Sequence, residues 1–209
     1  MKVLSHAVIL DDHRLFADSF CTLLQKEYQF DIVQAFSDTE DFFRFMRGFG
    51  RGDIHVFMDY YFPKDNGLAL LVQVRQINPK AKIIVVTSAL SATVIRTIWQ
   101  YSPNAMLSKS GDTMELTTCI EVLRKGKSYL APEFNQLLES ISAEKEVTFT
   151  PRELELLTYF SKGYNIVQTA EETFLSPHTV VSHRRKMMAK AKCNNIGQLL
   201  TYAQQHELI

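Results

Sequence analysis

No stretch of this chain stays apolar for the roughly 18 residues that a membrane-crossing helix needs, so a membrane protein is not expected. The first residues, Met1-Lys2-Val3-Leu4-Ser5-His6, contain neither a long apolar core nor a small-residue cleavage site, so a secretory leader is not expected either. Cysteine is scarce: Cys21, Cys119 and Cys193 are the three present, far apart and without a C-x-x-C pair. Such a set suits neither a disulfide frame nor a zinc site and fits buried thiols in a reducing cytoplasm. Net charge is missing as well, since 23 Lys and Arg balance 23 Asp and Glu. A chain-wide electrostatic grip on nucleic acid is thereby disfavoured. The balance is uneven, however: residues 178–192 hold five Arg and Lys and no acid. Otherwise the composition, 46% hydrophobic and 22% charged over 209 residues, is that of a soluble globular protein of one or two domains.

Four apolar runs organise the first part. Ala7-Val8-Ile9-Leu10 ends in Asp11-Asp12, and Val56-Phe57-Met58 ends in Asp59. Ile83-Ile84-Val85-Val86 ends in Thr87-Ser88, and Ala105-Met106-Leu107 leads to Ser108-Lys109. Runs this apolar read as strands covered on both faces. Pro63 and Asp65-Asn66-Gly67 stop the second of them. Ile32-Val33-Gln34-Ala35-Phe36 is a further short strand. Between the strands, Leu15, Phe16, Phe20, Leu23 and Leu24 give helical spacing over 13–26. Phe42, Phe45, Met46 and Phe49 form a second stripe, capped by Ser37 or Asp38. Helices also fit 68–77, 91–100 and 113–124, the last with Asp112 as cap and Gly126 beyond its end. A β-α order repeated five times predicts a five-stranded, doubly wound parallel sheet with helices on both faces. Such sheets place their chemistry at the carboxyl ends of the strands. An acid pair, an acid, a hydroxyl and an ammonium therefore meet at one edge.

Alone, an Asp at a strand end is usually a turn or cap residue, and a Thr there is usually packing. Together at consecutive strand ends they read as a site. Three neighbouring carboxylates call for a hard divalent cation with oxygen ligands, magnesium foremost. Asp59 could then attack a phosphoryl donor, with Lys109 and the cation stabilising the transferred charge and Thr87 hydrogen-bonding a phosphoryl oxygen.

Over about residues 5–125 these features closely resemble the receiver domain of bacterial two-component response regulators, a CheY-like, flavodoxin-like α/β fold. The resemblance rests on Asp11-Asp12, Asp59 with Pro63 and Gly67 behind it, Thr87-Ser88 and Lys109. It implies that Asp59 is the phosphoacceptor and that Asp12, Asp59 and the Tyr61 carbonyl bind Mg2+, Asp11 contributing through water. It further implies that Lys109 pairs with the phosphoryl group, that Thr87 reports on it, and that Tyr61 tunes hydrolysis of the acyl phosphate. One position departs: Met106 stands three residues before the lysine, where many receivers carry an aromatic switch residue.

From Thr150 on, the pattern is helical only. Leu154, Leu157 and Phe160 make one apolar face closed by Gly163, and Ala170, Phe174 and Leu175 belong to a second helix. Ser176-Pro177 starts a third, with a hydroxyl cap and proline at the first helical position. On it Val180, Met187 and Ala191 share the buried stripe. His178, Ser182, Arg185 and Ala189 take the opposite face, flanked by Val181 and Lys186, while Arg184 snorkels beside the stripe. A helix, a tight turn and a polar-basic helix suit helix-turn-helix docking in a major groove. An isolated basic helix face is more often simply solvated, but about 150–200 resembles the helix-turn-helix of the LuxR/NarL regulators. The matching residues are Thr150, Glu153, Gly163, Ala170, Ser176, Thr179-Val180, His183 and Lys190. Val167 and Val181 replace usual lysines, and Thr173 and Ala191 replace other usual residues. Among His178, Thr179, Val181, Ser182, Arg185 and Lys186, the candidate DNA-contacting set, binding then falls chiefly to Ser182, Arg185 and Lys186.

The expected organisation is a receiver over 1–127, a linker with a short helix over 128–148, and an all-α four-helix helix-turn-helix domain over 149–209. The expected protein is a cytoplasmic, dimeric, DNA-binding transcriptional regulator rather than an enzyme. A sensor histidine kinase or a small acyl phosphate would phosphorylate it at Asp59 in the presence of Mg2+. The alternative is an accessory factor that acts without phosphorylation or as a heterodimer with another regulator. A phosphorelay adaptor whose helices bind protein is a third reading. A ligand-binding quorum sensor is disfavoured, because the strand ends are spent on an acidic pocket.

Overall fold

The structure, a computed structural model, describes residues 5–28, 30–62, 65–88, 91–140, 147, 149–206 and 208–209. Pro63, the first four residues and most of the acidic connector over 142–149 lie outside the described residues. The chain separates into two compact units, Met1–Ala89 with Ile98–Gln136, which holds the sheet, and Leu90–Thr97 with Leu137–Ile209, which is helical.

The first part of the chain runs β1 (His6–Leu10), α1 (Arg14–Glu27), β2 (Ile32–Phe36), α2 (Thr39–Phe49), β3 (Ile54–Met58) and α3 (Gly67–Ile77). It continues with β4 (Lys82–Thr87), α4 (Ala92–Gln100), β5 (Ala105–Ser108), α5 (Thr113–Arg124), β6 (Tyr129–Leu130) and α6 (Pro132–Ser140). All pairings are parallel, in the order β2-β1-β3-β4-β5-β6. The chain winds outward in both directions from β1 and β3, which makes the gap above them the topological switch point. The sheet has six strands rather than the five expected from the sequence. β6 is two residues long, held by hydrogen bonds of 3.0 Å from Tyr129 and Ala131 N–H to Asn104 and Met106 carbonyls. That is too short to leave a periodic signal.

Alternation along the strands sends Ala7, Ile9, Phe57, Ile84, Val86, Ala105 and Leu107 into one core with Ala17 and Leu24 of α1 and Leu116, Cys119, Ile120 and Leu123 of α5. Val8, Leu10, Val56, Met58, Ile83, Val85 and Met106, pointing the other way, are equally buried. Each large side chain so buried stabilises the fold by roughly 1.5–3 kcal/mol. Two apolar patterns are corrected. Leu15 is 83% exposed although it fits the α1 periodicity. On α2, Phe43 is buried while Phe45 and Phe49 are only half-buried. Caps stand where side-chain oxygens were available: Asp38, Asn66 and Asp112 each accept from N–H groups of the following first turn.

The last part of the chain contains α7 (Pro151–Ser161), α8 (Ile166–Glu172), α9 (Pro177–Lys190) and α10 (Ile196–Gln205). Thr150 and Glu153 form a capping box, as do Asn165 and Gln168. Phe149, Leu154, Leu157, Phe160, Ala170, Val180, Met187, Leu199 and Ala203 are buried. Phe174 and Leu175 lie beyond α8 rather than on it. Leu175 N–H bonds the Ala170 carbonyl at 2.9 Å and Phe174 N–H bonds that of Glu171 at 3.2 Å, a Schellman ending with Phe174 at φ +53°. Phe174 is consequently 95% exposed. Ala191 is the half-buried C-cap of α9 and not part of its buried stripe. Thr173, one of the departures from the family pattern, is buried with its hydroxyl donating to the Thr169 carbonyl at 2.6 Å.

Candidate functional site: an acid pocket and a basic helix

The register of the two central strands builds the pocket. Leu10 of β1 lies beside Met58 of β3, so Asp11 and Asp59 leave the sheet together, and Asp59 N–H bonds the Leu10 carbonyl at 3.0 Å. Both carboxylates are buried, their side chains only 2% exposed. Lys109, which follows β5, donates its backbone N–H to the Thr87 carbonyl at 2.9 Å. Its ammonium reaches Asp11 Oδ2 and Asp59 Oδ2 at 2.7 Å each and lies 4.8 Å from the Phe16 ring centroid. Thr87 is fully buried beside Ser108.

Charge and burial compete here. Burial alone would lower the Lys109 pKa, but its hydrogen bonds to Asp11 and Asp59 and their charges outweigh that and raise it. The Asp59 carboxyl is also raised, first by burial and further by Asp11, against the lowering influence of Lys109 and the Tyr60 N–H. An ion pair that dominated its surroundings would have moved Asp59 down. One ammonium thus does not fully compensate two buried carboxylates, and the pocket keeps an appetite for more positive charge.

Asp59 Oδ1 accepts from Tyr60 N–H at 2.6 Å and Tyr61 N–H at 3.3 Å, which fixes the carboxylate against its own loop. Beyond it, Tyr61 and Asn66 form an isolated antiparallel bridge. A Cβ on Gly67 would fall 2.2 Å from the Tyr60 carbonyl oxygen, so a close backbone approach explains the glycine. Met106 is fully buried. Asp12 is half-exposed at the rim, yet its Oδ1 is buried without a hydrogen-bond partner. Ligand atoms of Asp11, Asp12, His13 and Asp59 all lie within 4.8 Å of one another. An orphaned carboxylate oxygen in a carboxylate-rich corner fits a divalent cation. In the sequence His13 stands only at the start of the helical stretch 13–26. Its adjacency to Asp11-Asp12 was the available signal.

On α9, His178, Arg185 and Lys186 are exposed, and Thr179, Val181 and Ser182 are half-buried. The Thr179 hydroxyl lies 2.8 Å from that of Ser176, which caps the helix. Lys190 is spent differently from its neighbours: its ammonium lies 2.6 Å from Oε2 of Glu153, a residue 3% exposed. Glu153 Oε2 also accepts the Thr150 N–H at 2.7 Å, so one carboxylate joins the start of α7 to the end of α9. Of the five cations over 178–192, Lys190 is thus structural and Arg184 half-buried, while Arg185, Lys186 and Lys192 are exposed, the first two of them on α9.

Comparison with known proteins covers both units. The family described as response regulator receiver domain matches residues 7–121, and bacterial regulatory proteins, luxR family, matches residues 147–203. The chain is 23% identical over 206 residues to the Fimbriae Z protein of Salmonella typhimurium, covering 97% of each. It is 25% identical over 203 residues to the transcriptional regulatory protein RcsB of Escherichia coli, covering 94% of this chain and 93% of that one. Among solved structures it resembles RcsB from Salmonella enterica serovar Typhimurium bound to promoter rprA in the presence of phosphomimetic BeF3-. The TM-score is 0.70 at 22% identity, with 96% of this chain and 98% of that one covered. It also resembles the RcsB–DNA complex at TM-score 0.63 and 22% identity, with coverage of 97% and 98%. At such identities the structural likeness concerns the fold.

Proposed function

This chain belongs to the response regulators, joining a receiver domain to a luxR-family module, and from that premise we propose a DNA-binding transcription factor switched by phosphorylation of Asp59. It is a regulator and not an enzyme. The observation that carries the proposal is the bridging of Asp11 and Asp59 by Lys109 at 2.7 Å in a buried pocket at the switch point of the sheet.

In the proposed reaction a carboxylate oxygen of Asp59 attacks the phosphorus of a phosphohistidine on a sensor kinase, or of a small acyl phosphate. An O–P bond forms as the donor's N–P or O–P bond breaks, and the leaving group departs with the electron pair. Asp12, Asp59 and the Tyr61 carbonyl would hold Mg2+, with Asp11 beside them. The cation supplies charge neutralisation between the carboxylates and the incoming phosphoryl oxygens. Lys109 exchanges part of its contact with Asp59 for the new phosphoryl oxygens, and the Thr87 hydroxyl becomes their hydrogen-bond partner. Tyr60 and Tyr61 N–H hold the acceptor in place. The added charge then biases the two units between two arrangements.

The output would be DNA, approached by the exposed face of α9 through His178, Arg185 and Lys186, with Thr179, Val181 and Ser182 along the same helix. RcsB has been seen on promoter DNA and as dimers on DNA, and a dimer here would place two α9 helices on two half-sites. Cytoplasmic action and the divisions 1–127, 128–148 and 149–209 belong to the same reading. Among the described residues no helix is long and apolar enough to cross a membrane.

A second reading, phosphorylation-independent or heterodimeric action, is favoured by Met106, which is fully buried and has no aromatic ring with which to signal. The two are separated by DNA retention from a genomic fragment pool, with and without acetyl phosphate and Mg2+. Retention that rises in the parent and not in Asp59→Ala, with one phosphoryl group gained only by the parent, supports the switch. Equal retention in every condition supports the second reading.

A further inference from the structure

Asp11 divides its oxygens between two neighbours. Oδ2 faces the Lys109 ammonium at 2.7 Å. Oδ1 faces His13, accepting its backbone N–H at 2.9 Å and standing 3.2 Å from ring Nδ1. The same Nδ1 lies 3.1 Å from Asp12 Oδ1. That second approach lacks hydrogen-bond geometry, which leaves Asp12 Oδ1 buried and without a hydrogen-bond partner. One ring nitrogen cannot serve both oxygens, since it carries at most one hydrogen. His13 occupies the N-cap position of α1, yet its side chain makes no cap hydrogen bond. Its ring is 68% exposed at the mouth of the pocket.

Three donor atoms of mixed type therefore converge: Nδ1 of His13, Oδ1 of Asp11 and Oδ1 of Asp12. Ligands at right angles on an octahedral ion with bonds of about 2.1 Å stand about 3.0 Å apart. The two N···O separations, 3.2 and 3.1 Å, are close to that spacing. Lys109 contacts the other oxygen of Asp11, so a cation on the His13 side leaves that ion pair in place.

We infer that His13 is a nitrogen ligand of the acid pocket and that the pocket accepts later first-row divalent ions, cobalt, nickel or zinc, alongside magnesium. Carboxylate and carbonyl oxygens alone suit magnesium, whereas an imidazole adds affinity for the later ions and almost none for magnesium. The inference rests on the reading of the pocket as a cation site.

The test uses the full-length, tag-free chain, with Co2+ and Mg2+ as separate probes. Equilibrium dialysis measures affinity, and proton NMR of the Co2+ form shows whether an imidazole is coordinated. His13→Ala is expected to weaken Co2+ binding about tenfold while Mg2+ changes less than about twofold. The parent's Co2+ form should show hyperfine-shifted imidazole ring protons that His13→Ala lacks. Co2+ bound with no such protons, or an equal loss for both ions, overturns the assignment of His13 and leaves the cation pocket standing. Undiminished binding of both ions by Asp12→Asn and Asp59→Asn overturns the pocket and the inference together.

Discussion

Replacing Lys109 by methionine removes one charge, with its two ion pairs and its approach to the Phe16 ring, and keeps most of the aliphatic stem, so the loss is chiefly electrostatic. Each contact of 2.7 Å is worth about 6 kcal/mol at an effective dielectric near 20. Most of this is offset by desolvation. Removing one partner of a buried pair typically costs about 3–5 kcal/mol. The Lys109 side chain is 14% exposed, which argues for the lower end, about 3 kcal/mol. For a domain of this size that is a fall in Tm of about 10 °C. Thermal melts in EDTA followed by far-UV circular dichroism would show it. Because two unpaired carboxylates would then be left, divalent cations should recover more stability in Lys109→Met than in the parent. A hundredfold excess over Kd contributes about 2.7 kcal/mol. Asp59→Asn, by contrast, should hold or raise the Tm in EDTA, since burial and Asp11 already disfavour the charged form. A Lys109→Met melting point within about 2 °C of the parent in EDTA would refute the reasoning.

Other consequences can be read from stability measurements. Burial, reinforced by Lys82, lowers the His55 pKa from 6.5 to about 4. The neutral ring is thus the folded form, and its contribution is present above pH 6.5 and is lost as pH falls toward 4. After allowance for partial exposure this amounts to about 2 kcal/mol, and urea titrations from pH 7 to 4 should show a shallower acid loss in His55→Gln. Phe174 holds a left-handed conformation and packs on little, so Phe174→Asn should raise stability by about 0.5–1 kcal/mol. An unchanged or lower urea midpoint would show that the aromatic ring has a contact worth the strain. Gly67→Ala should cost 2 kcal/mol or more, in the manner of other overpacked sites at about 1–3 kcal/mol. It should also weaken Mg2+ binding, because the displaced carbonyl belongs to Tyr60 beside Asp59.

The sequence made the sheet legible because the buried runs are nearly pure Val, Ile, Leu and Phe and each ends in a chemical group. Asp11, Asp59, Thr87 and Lys109 could be gathered before any coordinates, since a parallel sheet with short connections leaves one place for strand ends to meet. What stayed hidden has a common physical origin in pairings that no local pattern encodes. β6 is defined by hydrogen bonds to Asn104 and Met106, not by its own two residues. Leu15 has the spacing of a core residue and is exposed, because periodicity fixes a direction on the helix and says nothing of what stands opposite. Phe174 fits an apolar helix face in sequence, but the chain has already turned at Thr173 and carries it outward. Lys190 is the clearest case. Counted with Arg185 and Lys186 it suggests a continuous phosphate-binding face, whereas Glu153, 37 residues earlier, claims its ammonium. Subtracting it leaves an exposed pair on each α9, so two protomers engaging four phosphates would give a log–log salt slope of only about −4. The basic cluster that first suggested nucleic acid is thus a weaker electrostatic device than its count implies, and on the proposed function discrimination among sequences would fall to Ser182, Val181 and the two neighbouring cations.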